Sequence, residues 1–128
     1  THRRSSAASD VYKRQMYAYV RCCSILEKKK PNLDNNSDKN ELLKNYDLIS
    51  KIINFPIYLE KFSSERSPHS LVHFTKELAA NYHSFYEQNS VITDNQEESN
   101  ARLLITKATS IVLKNSFKII GVTPLEKM

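Results

Sequence analysis

The chain has one glycine, Gly121, and it closes a helical pattern that starts near Gln96 and holds through Ile120. Leu103, Leu104, Lys107, Ala108, Ile111 and Val112 wind round this long helix. Gly121 is then its natural C′ residue, free to take a left-handed turn. Asp94 and Glu97 have capping-box-like spacing at its start, with Asp in place of the usual Ser or Thr. With one Gly and four Pro in 128 residues, few tight turns can be built. No strand stands out, since Val91-Ile92 is too short to count.

The rest of the chain reads the same way. A first helix is predicted from about Met16 to Lys29. Ala18, Cys22, Ile25 and Leu26 recur at helical spacing, with Tyr17, Arg21 and Ser24 on an adjoining stripe. Lys28, Lys29 and Lys30 suit the dipole of its last turn, and Pro31 ends it. After a polar loop, a second helix covers about Asn40 to Asn54, with Leu42, Leu43, Leu48, Ile49, Ile52 and Ile53 as its apolar face. Pro56 starts a short third helix with Ile57, Leu59 and Phe62 turned inward, followed by a loop over residues 63–67. Ser67-Pro68 opens a fourth, in which Leu71, Phe74, Leu78, Tyr82 and Phe85 recur to about Asn89. The expected fold is all-α, a bundle of four to five helices, antiparallel where loops are short.

The length suits one domain with one core. No apolar run reaches the roughly 18–20 residues of a membrane span. The adjacent Cys22 and Cys23 cannot build a disulfide framework, so a reducing, cytoplasmic setting is expected. The net charge of +5 misleads: residues 1–15 carry four cations against one carboxylate, leaving +2 for residues 16–128. That Ser/Ala/Arg-rich leader has no hydrophobic periodicity and is expected to be disordered or artefactual, joined to a truncated gene. Residues 16–128 would form the folded domain. Nucleic-acid binding must therefore come from charges gathered on one face, not from net charge.

Little catalytic chemistry is visible. One glycine excludes a glycine-rich phosphate loop, and there is no Cys-x-x-Cys. His69 and His73 stand four apart on one helix but lack a third ligand of suitable spacing, so no metal site is expected. Cys22 and Cys23 have no base beside them in sequence and read as half-buried helix positions. Tyr17, Tyr19, Tyr82 and Tyr86 share helices with cations. Such aromatics either stack on unpaired RNA bases or simply fill a core. Lys107, Lys114 and Lys118, with Arg102, form a stripe that either meets phosphates or is a solvated face.

Three blocks carry a resemblance. Tyr17-Ala18-Tyr19-Val20-Arg21 is similar to the Tyr-Ala-x-x-Arg that opens the anticodon-binding (DALR) domain of arginyl-tRNA synthetases. Ser67-Pro68-His69-Ser70-Leu71, Leu78-Ala79 and Tyr82-His83-Ser84-Phe85-Tyr86 resemble its middle block. Asn100-Ala101-Arg102-Leu103, Lys107-Ala108-Thr109, Val112-Leu113-Lys114-Asn115 and Leu125-Glu126-Lys127-Met128 resemble its C-terminal block. The match runs from Tyr17 to Met128. Each motif is weak alone; together, in order, they are specific.

The resemblance implies an all-helical domain that grips the anticodon stem and loop of arginine tRNA. Tyr17 and Arg21 would line the anticodon surface and Tyr82 and Tyr86 would face loop bases. Met128 would contact that region through its side chain and carboxylate, with Arg102, Lys107 and Lys114 near phosphates. The parent enzymes ligate arginine to tRNA with ATP and Mg2+. Their class I signatures, His-x-Gly-His and Lys-Met-Ser-Lys, are absent here, so this chain alone should hold no catalytic residues and bind neither ATP nor arginine. The implied partners are tRNA and a catalytic domain, with a monomer expected. The alternative is a helical protein-interaction module with no RNA contact.

Overall fold

A computed structural model describes residues 12–34, 37–65 and 69–128. Among these residues there are six helices and no strand: α1 (Lys13–Lys28), α2 (Lys39–Lys44), α3 (Tyr46–Ile53), α4 (Phe55–Glu65), α5 (His69–Gln88) and α6 (Gln96–Ile120). The all-α bundle read from the sequence is the fold.

The core is built by α1, α5 and α6, each packed on the other two. Helix α1 crosses the C-terminal part of α5. Ile25 and Lys28 near the end of α1 share a cleft with Tyr86 and Asn89 near the end of α5. Near the start of α1, the Arg14 carbonyl lies 3.2 Å from His83 Nε2. Helix α6 runs opposite to α1: Asn100, near its start, bonds Asn32 beyond the end of α1, and Phe117, near its end, meets Tyr19 edge-on at 6.2 Å. The chain gets from α1 to α5 by way of α2, α3 and α4. Helices α3 and α4 lie on α5, and α2 on α6.

Leu71, Phe74, Leu78 and Tyr82 of α5 are fully buried, as the predicted stripe requires. Phe55 and Tyr58 of α4 close on Phe74, with ring centroids 5.7 and 4.6 Å away. The long helices carry Thr75, Thr106 and Thr109 inside the core. Each hydroxyl donates to the carbonyl four residues back, at 2.7, 2.9 and 2.8 Å, so none of the three is stranded. Gly121 takes φ 94, and its N–H bonds the Phe117 carbonyl at 2.9 Å.

The middle third departs from the periodic reading. The helix expected over Asn40–Asn54 is broken at Asn45, whose φ is −105 and whose Nδ2 donates to the Glu41 carbonyl at 2.7 Å. That side chain takes the acceptor a continuing helix would use. The break resets the phase. Leu43 and Ile53, expected inside, are 70% and 68% exposed, and Ile57 is 53% exposed. The α2 residue that is buried is Glu41. Helix α4 begins at Phe55 and extends through Glu65, across most of the expected loop. The predicted Ser67-Pro68 start lies outside the described residues. The cap of α6 is Asn95, accepting from the Glu98 N–H at 3.1 Å, and not Asp94. Of the expected leader, residues 1–11 lie outside the described residues. Residues 13–15 belong to α1, and Gln15 is buried.

Glu41 is buried because Arg102 meets it with a two-pronged bond. Nε and one terminal nitrogen of Arg102 donate to the two carboxylate oxygens at 3.1 and 3.0 Å. The other terminal nitrogen donates to the Ser90 carbonyl at 2.7 Å and pairs with Glu98 at 3.0 Å. Two residues earlier, the Asn100 amide accepts from the Asn32 N–H (2.7 Å) and donates to the Asn32 carbonyl (2.9 Å) and to Ser37 Oγ (3.0 Å). The first turns of α6 thus pin the α1–α2 connection and α2.

Two outcomes check this description. Gly121→Ala meets no atom within 4 Å, so it costs only the left-handed backbone, about 1 kcal/mol by denaturant melt. Arg102 holds the Glu41 carboxyl below its ordinary 4.5. A lowered carboxylate pKa stabilises the fold above 4.5, and that stability is lost as pH falls through the folded value. Glu41→Gln should therefore cost about 3 kcal/mol at neutral pH. The gap between mutant and wild-type melts should close on acidification.

Candidate nucleic-acid interface

Helix α1 presents an exposed face that includes Tyr17 and Ser24, flanked by a seam with α5 and a seam with α6. Helical spacing puts Tyr17, Arg21, Ile25 and Lys28 on the α5 side, three or four residues apart. Cys23 lies two residues from Arg21, about 200° round the helix, on the α6 side.

In the α5 seam the Arg21 guanidinium lies over the Tyr86 ring, 4.1 Å from its centroid. Both residues are half-buried, so the pair is braced by packing yet reachable. Such a contact holds the guanidinium plane flat, where its other face can take an aromatic base. Tyr17, one turn back, is 43% exposed, with Lys13 Nζ 5.9 Å from its ring. One turn forward is a cleft of about 280 Å³ lined by Ile25, Lys28, Tyr86, Asn89, Ser90 and Ile92. The seam thus offers a stacking pair, an apolar-floored cleft and cations.

Tyr82 is corrected. It is fully buried, and its hydroxyl lies 3.1 Å from Thr106 Oγ1. Since Thr106 already donates to the Arg102 carbonyl, Tyr82 is the donor in that bond. Burial pushes the Tyr82 hydroxyl well above its ordinary 10.0. Tyr82 is a core post and cannot stack on a base from that place. Burial pushes the Cys22 thiol up to about 12 and raises Cys23, so neither is an activated thiolate.

Arg102 is corrected too. Its side chain is 12% exposed, and its guanidinium is taken up by Glu41, Glu98 and Ser90. It holds the fold and is not positioned to meet a phosphate. Lys107, Lys114 and Lys118 are exposed. Lys107 and Lys114 join Lys30 along the α6 seam, in a groove of about 330 Å³ with Cys23 and Glu126. The tail borders this groove through Glu126, and the neighbouring Leu125 N–H meets the buried Met16 Sδ at 3.2 Å. Met128, two residues beyond Glu126, is 56% exposed. So Tyr17, Arg21 and Tyr86 come together on one seam, whereas Lys107, Lys114 and the tail lie on the other. His73 is occupied by Glu77 at 2.6 Å, and among the described residues no three His, Cys, Asp or Glu are placed to share a metal. No helix among them is long and apolar enough to cross a membrane.

Sequence reasoning missed Lys28, Asn89 and Ser90 as cleft residues and Glu41 and Ser99 as its supports. The available signal was a polar residue in an apolar phase: Ser99 and Asn100 are buried on the α6 face that carries Leu103.

The chain is 38% identical over 118 residues to arginine–tRNA ligase 1 of Halalkalibacterium halodurans, covering 88% of this chain and 21% of that protein. It is 38% identical over 130 residues to the arginine–tRNA ligase of Bacillus subtilis, covering 97% and 23%. With that of Staphylococcus epidermidis it shares 34% over 117 residues, covering 88% and 21%. The chain therefore spans about a fifth of the length of these relatives. The DALR anticodon binding domain family matches residues 15–128, and the chain belongs to that family.

Proposed function

We propose that this chain reads the anticodon loop of an arginine-accepting tRNA, as the anticodon-binding part of an arginine–tRNA ligase. The observation that carries the reading is the Arg21–Tyr86 stack, set in a seam between an exposed Tyr17 and an open cleft. Unpaired loop bases are read by this kind of surface: flat groups for stacking, polar edges for discrimination, cations for phosphates. Tyr17 and Arg21 take stacked bases, and Tyr86 supports Arg21 from beneath. Lys28 lies beside the phosphates at the cleft. On the other flank of α1, Lys107 and Lys114 meet the backbone of the same RNA, and Met128 reaches it from the exposed tail.

Arginine activation with ATP and Mg2+ belongs to the catalytic portion of such a ligase. The residues here do not fit ATP: the only glycine follows the C-terminal end of α6, where carbonyls and not N–H groups are presented. A monomeric cytoplasmic enzyme is the proposed setting.

The alternative, a helical protein-interaction module, has its own observation. Leu43, Tyr46, Ile53 and Ile57 of α2, α3 and α4 are all more than half exposed. These elements do not line the α1 seams, so both readings can hold. We assign the apolar residues to contact with the catalytic domain.

Binding of the chain to arginine tRNA, across a salt series, tests the RNA reading. Arg21→Ala and Tyr17→Ala should each weaken binding by about 1–3 kcal/mol. Lys114→Gln should flatten the salt slope by about 1. Tyr82→Phe should lower stability by about 1 kcal/mol and leave affinity unchanged. Equal affinity for arginine tRNA and an anticodon-altered tRNA at every salt would contradict the proposal.

A further inference from the structure

The cleft beside the Arg21–Tyr86 stack has one wall that is not helical. It is formed by Ser90, Val91 and Ile92, in the connection between α5 and α6. A connection is a poor wall for a selective site unless something fixes it. Here the first turns of α6 do so. Arg102 donates to the Ser90 carbonyl at 2.7 Å. Ser99 Oγ donates to the Val91 carbonyl at 3.0 Å and accepts from the Thr93 N–H at 3.3 Å. Thr93 Oγ1 donates to the Asn95 carbonyl at 3.2 Å. Val91 is itself buried, which anchors the middle of the segment in the core.

Arg102 is in turn held from behind. Its fork on Glu41 and its pairing with Glu98 leave the remaining donor aimed at Ser90. Glu41 is thereby linked to the cleft wall through one guanidinium, although it belongs to α2. The planar fork makes this possible, because its three separate nitrogens reach Glu41 and the Ser90 carbonyl at once, whereas an ammonium brings its donors to a single point.

We infer that Arg102 and Ser99 are positioning residues for base selection: they fix the Ser90–Thr93 wall against Tyr86 and do not touch the RNA. The inference rests on the anticodon reading above. It assigns Arg102 a role different from a phosphate contact, and the two roles separate experimentally. Arg102→Lys keeps a cation, so a phosphate contact survives it while the fork is lost. Asn100→Ala is the control, since it loosens the Asn32 and Ser37 side of the same helix and leaves the cleft wall alone.

The test compares the 128-residue chain with Arg102→Lys, Ser99→Ala and Asn100→Ala. Each is assayed for affinity to arginine tRNA and to the same tRNA with an altered anticodon, at temperatures giving equal folded fractions. Hydrogen exchange at residues 90–93 is measured in parallel. Arg102→Lys and Ser99→Ala should speed that exchange and cut the affinity ratio by about fivefold or more, with the salt slope unchanged. Asn100→Ala should leave both at the wild-type value. Equal loss of the ratio in all three variants, or an unchanged ratio in Arg102→Lys, overturns the inference. Slow exchange at 90–93 in Arg102→Lys overturns it independently of any RNA. If the unaltered chain binds both tRNAs alike, the anticodon reading has failed instead, and the exchange rates still decide whether Arg102 holds the wall.

Discussion

The Arg102 guanidinium joins three parts of the chain that are distant in sequence. It sits on α6, grips Glu41 of α2 and holds the carbonyl of Ser90 at the end of α5. Removing one partner of such a buried pair strips the other charge of its two-pronged counterion and leaves Arg102 only Glu98, or Glu41 only Lys44, a cost of about 3 kcal/mol. Much of the remaining architecture follows from that requirement. Helix α2 is short and polar, yet it stays docked because its one buried side chain is a carboxylate with a fixed partner. The α5–α6 connection stays against the core because the Ser90 and Val91 carbonyls have fixed donors. Helices α1 and α5 can then share an open seam whose far end is a defined cleft.

The parts legible in the sequence were those where one periodic pattern ran unbroken. Helix α6 and the end of α5 were readable almost to the residue, because Leu71, Phe74, Leu78 and Phe85 keep a single phase in α5 and α6 runs uninterrupted to its Gly121 stop. The middle third was not, because Asn45 and Asn54 interrupt the phase and the apolar residues on either side cannot share one face. Leu43 and Ile53 look like core in any window that ignores those breaks. Glu41 looks like solvent until its partner, sixty-one positions later, is known.

The site was legible in the same partial way. Tyr17, Arg21 and Tyr86 came from motif resemblance, and Arg21 and Tyr86 lie in direct contact. Tyr82 came from the same motif but also stood in the apolar stripe of α5, and the stripe was the better guide to its place. Arg102 has Glu98 one turn before it, a spacing that already gave its charge a partner within the helix. No local pattern announces that a carbonyl at Ser90 needs a donor, so the wall of the cleft could only be seen in three dimensions.

Membership of the DALR family and the geometry of the α1–α5 seam both support the proposed recognition of RNA. The most direct test is an NMR titration of the chain with the anticodon stem-loop of arginine tRNA. The account predicts perturbed amides along α1 from Tyr17 to Lys28, at Tyr86 and over residues 90–92, with α3 and α4 unchanged. Perturbation centred on Tyr46, Ile53 and Ile57, with the seam silent, would contradict it.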